Sequence, residues 1–390
     1  MRVLLFTLFF LCVNYLLANT TLDTTFTHTD SVIKPTEDTI NKNLINKNQH
    51  DTLNIFAKRL QLLNEQTPMG LDYNLEIQRY IDNYKGRNKA LISRMLSIKH
   101  LYFPLFEREL DKFKLPLELK HLAIVESALQ PKAKSQSGAT GLWQFMYLTG
   151  KQYGLNVTSY VDDRQDPYKS TIAACNYFLD LYEMFGDWNL VLAAYNGGPG
   201  YLQRKINEVG SYNFWDLHPH LKEETRNYVP KFIATNYIMS FYQEHGITAD
   251  SIRQTFYEID TITILEQTNV STLSAMLCLD EFLIRDLNPS FKEDVMPKNA
   301  NLFLPKSAVT DFLLNETSSY IFINAVEKKE VLINEERLIY SVKKGDYLGK
   351  IANEFDVSVF QLKTWNNLNT SLLNIGDKLI IYVKTLEKIQ

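Results

Sequence analysis

The chain has 390 residues, enough for two or three domains. Apolar residues make up 45%, sufficient for cores of that size, and a net charge of −4 gives no electrostatic argument for nucleic-acid binding. No His or Cys cluster has metal-ligand spacing, so neither a metal nor another cofactor is implied.

In chain order, Arg2 precedes an apolar stretch from Val3 to Leu17 and then Ala18. This is the charged start and apolar middle of a secretion signal, residues 1–18, and it is short for a membrane span. A retained anchor is the alternative. Leu11 before Cys12 is too large for the usual lipidation site. Residues 19–52 are rich in Thr, Asn, Asp and Lys and read as a disordered linker. No later stretch is apolar and long enough to span a bilayer.

Residues 53–101 read as helical. Leu91, Met95, Ile98 and Tyr102 follow at steps of four, three and four, one face of a structural helix that braces what comes next. Pro116 can start a further helix and Pro131 cannot continue it. On that short helix Leu119, Leu122 and Ala123 share a face with Glu126. Desolvation and the negative helix end both disfavour the anion there, so a raised pKa is expected. An acid still protonated near neutral pH suits a general acid in glycosidic cleavage.

Gly138 and Gly141 allow a tight loop. Asp166-Pro167 starts a core helix that runs to Phe185 and ends at Gly186-Asp187. A second helix carries Val191, Leu192, Ala194 and Tyr195, then stops at Gly197. His218 and His220 flank Pro219 in a loop and are expected to be exposed. Cys175 and Cys278 sit among apolar neighbours and read as buried thiols.

Four segments occur in order: Leu-Ala-Ile-Val-Glu-Ser at 122–127, Gly-Ala-Thr-Gly-Leu-Trp-Gln at 138–144, Ala-Tyr-Asn-Gly-Gly-Pro-Gly at 194–200 and Glu-Thr-Arg-Asn-Tyr-Val-Pro at 224–230. Together they resemble the lytic murein transglycosylases of the Slt type, close to the membrane-bound transglycosylase D branch. The resemblance implies an α+β chain with a mainly α-helical, lysozyme-like (goose-type) catalytic domain at 102–244. It makes Glu126 the catalytic acid. It places Ser135 and Gln144 around the sugar, Tyr195 and Asn196 facing the acid, and Tyr228 late in the cleft. Trp143 stands where many members have Met, which leaves the shape of the neighbouring subsite open.

A second resemblance runs from Tyr340 to Val383 and is to the LysM module, taken as 338–383. It implies a βααβ unit that binds N-acetylglucosamine polymers between two loops, here Gly345, Asp346, Tyr347 and Leu373, Asn374, Ile375. Leu273, Leu277, Leu279, Ile284 and Leu287-Asn288 align at constant offset with Ile351, Phe355, Val357, Leu362 and Trp365-Asn366, and Leu302 then aligns with Ile380. Residues 256–306 therefore read as a degenerate LysM-like module, structural rather than sugar-binding. The span 307–337 reads as a linker with strand character at Tyr320–Asn324.

The resemblance implies an exported, monomeric enzyme of the periplasm or cell envelope acting on peptidoglycan glycan strands, with membrane association through the N-terminus left open. It implies cleavage between N-acetylmuramic acid and N-acetylglucosamine to 1,6-anhydro ends. Two alternatives stay open. One is a goose-type lysozyme-like hydrolase, whose second carboxylate would come from Asp162, Asp163, Asp166 or Glu224. The other is a catalytically inactive wall-binding protein.

Overall fold

The computed structural model describes residues 50–252, 254–355, 357–368 and 370–388. The expected secretion signal lies outside the described residues, as does all but the end of the expected linker. Among the described residues no helix is long and apolar enough to cross a membrane.

The first half is helical. Helices α1 (His50–Asn64), α2 (Leu75–Lys85) and α3 (Lys89–Lys112) lead through a 3-10 turn, Leu117–His121, into α4 (Leu122–Ser127). Then come α5 (Tyr147–Gln152), α6 (Pro167–Phe185), α7 (Trp188–Gly197), α8 (Pro199–Val209), α9 (Phe214–Leu217) and α10 (Glu223–Ser240). The predicted ends hold. Asp166 caps α6 by accepting from the Tyr168 and Lys169 amides, and Gly186 closes it in a left-handed conformation. One continuous core takes in residues from Phe56 to Ile247, and α3 runs unbroken across positions 101 and 102. The bracing helices and the residues around Glu126 therefore share one interior. At its centre the Trp143 ring meets Phe106 at 5.0 Å and Phe178 at 5.9 Å. Trp143 is fully buried, with its indole N–H on Thr171 Oγ1. It fills the core.

A second core follows, built from β1 (Ile259–Thr263), β2 (Thr268–Asn269), α11 (Val270–Leu277), α12 (Glu281–Leu287), β3 (Val295–Met296) and β4 (Asn301–Pro305). Strand β1 pairs antiparallel with β4, which closes a βααβ unit. The last unit repeats it: β5 (Val331–Ser341), α15 (Leu348–Glu354), α16 (Val359–Trp365) and β6 (Lys378–Lys388), with β5 and β6 antiparallel along their length. One device recurs in both units. Asn288 donates to Ile284 O and Phe303 O and accepts from the Phe303 amide; Asn366 does the same with Leu362 O, Ile380 O and the Ile380 amide. So Phe303, not Leu302, corresponds to Ile380. The closing strand is one residue out of step with the helices, a slip that a constant offset misses.

Between the units the expected linker is structured. Helices α13 (Lys306–Leu314) and α14 (Glu316–Glu327) precede β5. The segment Tyr320–Asn324 is helix, not strand. Ser319, Phe322 and Ile323 are its buried residues, at steps of three and one that place them on one helical face. The Tyr320 hydroxyl accepts the Leu265 amide, in the loop that corresponds to the first LysM loop. Cys175 is a free buried cysteine as expected. Cys278 is not buried: it is exposed at the left-handed end of α11. His220 is exposed, but His218 is half-buried beside Glu76, 3.0 Å away, where exposure was expected.

Candidate active site

Helix α4 is only six residues long because Ala128 and Leu129 both turn left-handed, with φ of 50° and 58°. Such a turn costs a non-glycine residue about 1–2 kcal/mol. Burial of Leu129 offsets part of it. Leu119, Leu122 and Ala123 are fully buried on the face that Glu126 shares, and Glu126 sits near the exposed end of that face. Glu126 is half-buried and lines a cavity of about 430 Å³ with Ser135, Gln144 and Lys231.

The electrostatics of Glu126 follow from its neighbours. Burial is the largest influence and pushes its pKa up to about 7. The Tyr228 hydroxyl donates a hydrogen bond to Oε1 and pulls the other way, Glu224 pushes up, and Lys231 pulls down. Among the described residues that line the cavity Glu126 is the only acid. The other candidate acids are engaged elsewhere. Asp162 binds Arg164 through both oxygens, at 2.9 and 2.8 Å. Asp163 takes the Asn156 amide and Lys169, and Asp166 caps α6. Glu224 is exposed and forms no ion pair among the described residues.

The turn at 133–145 forms one wall. Gly141 needs its missing Cβ, since one would lie 1.8 Å from the Arg164 carbonyl oxygen. Gln144 is left-handed, φ 49°, and its amide nitrogen donates to Gly141 O at 2.9 Å and Ala133 O at 3.2 Å. Ser135 Oγ accepts the Ala139 amide at 3.0 Å. Both residues line the cavity. Tyr195 plays a different part. Its hydroxyl donates to Trp143 O at 2.6 Å, so it anchors the turn from behind. Burial and then the Glu126 charge raise its pKa well above the ordinary value. Asn196 is half-buried at the end of α7 and lies outside the cavity lining.

The opposite wall was not foreseen. Tyr84 on α2, and Leu91 and Met95 on α3, line the cavity. The Leu91–Met95 stripe reads in sequence only as a packing face. Lys231 had a visible signal, because it follows Tyr228 by three residues and so shares its helical face.

In the last unit the Val342 amide donates to Asp377 O, and the Gly376 amide donates to Val342 O, both at 2.8 Å. These bonds set the two expected sugar loops side by side. Gly345 turns left-handed, and Tyr347 and Ile375 are exposed, at 63% and 70%. Asn374 is exposed too. Asp346 faces inward. It accepts from Tyr340 Oη, the Lys343 amide and Lys350 Nζ, which hold its carboxyl well below the usual range. Leu373 packs on the module core.

Three families match the chain. Residues 104–218 match the Transglycosylase SLT domain, 258–321 the LysM-like domain of lytic transglycosylase MltD, and 340–381 the LysM domain. The chain is 31% identical over 331 residues to the membrane-bound lytic murein transglycosylase D of Escherichia coli K12, covering 82% of this chain and 71% of that one. It is 31% identical over 143 residues to the soluble lytic murein transglycosylase of the same strain, covering 34% and 22%. A solved structure of the 70 kDa soluble lytic transglycosylase of Escherichia coli aligns with a TM-score of 0.32 at 25% identity, over 40% of this chain and 26% of that one. By the first of these relatives and the three matched families, the chain belongs to the family of the membrane-bound lytic murein transglycosylase D.

Proposed function

We propose that the protein cleaves the β-1,4 bond between N-acetylmuramic acid and N-acetylglucosamine without consuming water. The observation that carries this is the cavity in which Glu126 is the only acid among the described residues, its pKa held up to about 7 mainly by burial. Protonated Glu126 gives its proton to the leaving glycosidic oxygen. The resulting carboxylate then takes the proton of the muramic C6 hydroxyl while that oxygen bonds to C1. The product is a 1,6-anhydro ring, and Glu126 ends protonated. Tyr228, donating to Oε1, stabilises the carboxylate between the two transfers. Hydrolysis by the usual pair of carboxylates would need a second acid in the cleft. The nearest candidates by sequence are engaged in ion pairs or caps, or exposed. Gln144 and Ser135 bind the sugar from one wall.

The last unit holds glycan through the exposed Tyr347 and Ile375, beside Asn374 and Gly345, with Asp346 and Leu373 shaping the loops from beneath. On this reading 256–306 is structural, the protein is an exported monomer of the cell envelope, and its partner is the glycan strand. Clearing of purified sacculi by the wild type, and its loss in Glu126→Gln, tests the assignment. Equal clearing by the two proteins contradicts it.

A further inference from the structure

We propose that the LysM-like module at 258–321 braces the catalytic cleft, acting through Arg164 on the turn that carries Ser135 and Gln144. The inference rests on the proposed function of that cleft.

The turn has little regular structure of its own. Between residues 133 and 145 its ladder consists of the bridges Lys134–Thr140 and Thr140–Phe145. Gly138, Gly141 and Gln144 are all left-handed. A loop of this kind opens easily unless side chains bind its carbonyls. Arg164 does so. Its Nη1 donates to Gly138 O at 3.0 Å and to Phe145 O at 3.3 Å, near the two ends of the glycine-rich stretch. Its other edge makes a bidentate pair with Asp162. Both residues are buried, so the pair is shielded from water. Burial alone would raise the Asp162 carboxyl; Arg164 outweighs it and holds the carboxyl low. Arg164 is thus a positioning residue that acts through the turn.

The segment 158–162, which leads into the 3-10 turn Asp163–Gln165 that carries Arg164, is held by the module. The Asp162 amide donates to Ser290 O and the Lys292 amide donates to Tyr160 O, each at 2.8 Å. Val161 and Phe291 form the antiparallel bridge between these bonds. Lys292 Nζ adds a bond to Thr158 O at 2.5 Å. Phe291 itself packs on the module core. The route from module core to Gln144 therefore passes through backbone bonds and one buried ion pair. It uses none of the module surface that corresponds to the LysM sugar loops, whose first loop is engaged by Tyr320.

The test uses the full chain with Glu126 intact. Lys292→Pro removes the amide that donates to Tyr160, whereas Lys292→Ala keeps it. Arg164→Gln removes the bidentate fork and the charge, and Arg164→Lys restores the charge. Steady-state kinetics on soluble glycan fragments and amide exchange across 138–145 are the readouts. The expected result is a KM increase of about tenfold in Lys292→Pro and Arg164→Gln, with faster exchange in the turn. Lys292→Ala should stay near wild type and Arg164→Lys should recover part of the loss. The alkaline limb of the rate profile should not move, because the surroundings of Glu126 are unchanged. Wild-type KM and wild-type turn exchange in Lys292→Pro overturn the brace, whether or not the module itself loosens. Failure of the cleft reading shows separately, as full activity in Glu126→Gln, while the exchange data still judge the brace.

Discussion

The Tyr228 hydroxyl donates a hydrogen bond to Glu126 Oε1, joining α10 to the short α4 beside a cleft whose lining holds no other acid among the described residues. The bond favours the anion, yet burial wins and the carboxyl stands at about 7. Glu126 is thereby poised between acid and base near neutral pH, as a group that must serve first as one and then as the other requires.

Glu126→Gln should lower the cleavage rate by about 10²-fold to 10⁴-fold while the fold remains. The amide is nearly the same shape but has no proton to give to the leaving oxygen. Activity within a few-fold of wild type on purified sacculi would remove Glu126 from the role.

The same substitution should change stability with pH. The folded carboxyl holds its proton up to about 7 against an ordinary value of 4.5, so the native state binds more protons across that window. Stability contributed by the protonated form is present below the ordinary value and is lost as pH rises through the folded one. Glu126→Gln should therefore equal the wild type in acid and exceed it by about 1–3 kcal/mol above neutral pH. Denaturant unfolding at two pH values checks the sign; a variant that is less stable at high pH contradicts it.

Neighbouring charges should move the alkaline limb of activity in opposite directions. Lys231 pulls the Glu126 pKa down and Glu224 pushes it up. Lys231→Met should shift the limb to higher pH and Glu224→Gln to lower pH. Tyr228→Phe should also shift it upward, with a lower maximum rate because the carboxylate loses its donor. Rate profiles that coincide in all three variants would mean the limb reports another group.

Much of this site is legible in sequence because it is local. Glu126, Leu122 and Ala123 share a helix face by spacing alone, and the Asp166-Pro167 cap names its own helix start. What escapes is long-range or depends on burial. Tyr84 and Met95 look like core residues of bracing helices, and only the fold brings them into the same cavity lining as α4. Tyr195 and Trp143 sit in motif segments, but one anchors a carbonyl from behind and the other fills the core. Tyr320–Asn324 has the β-branched and aromatic residues of a strand, yet it is helix, with Ile323 and Tyr320 packed on the second core. Asp346 belongs to the sugar loop by position and to the module interior by its three bonds.

Glycan retention should divide the first LysM loop accordingly. Tyr347→Ala, at an exposed position, should weaken retention on insoluble sacculi and leave cleavage of short soluble glycans unchanged. Asp346→Ala should lower the unfolding temperature of the module, since it leaves Tyr340 and the Lys343 amide without their acceptor. Retention of Tyr347→Ala equal to wild type, in a pull-down on purified sacculi, would make this LysM structural.

The most direct measurement is the chemistry of the new ends. Purified sacculi are digested with the wild-type protein in water enriched in heavy oxygen, and the fragments are analysed by mass spectrometry. Muramic ends in the 1,6-anhydro form, carrying no heavy oxygen, are the predicted result. Reducing muramic ends that carry the label would show that water attacks C1, and the single-acid mechanism assigned to Glu126 would be wrong.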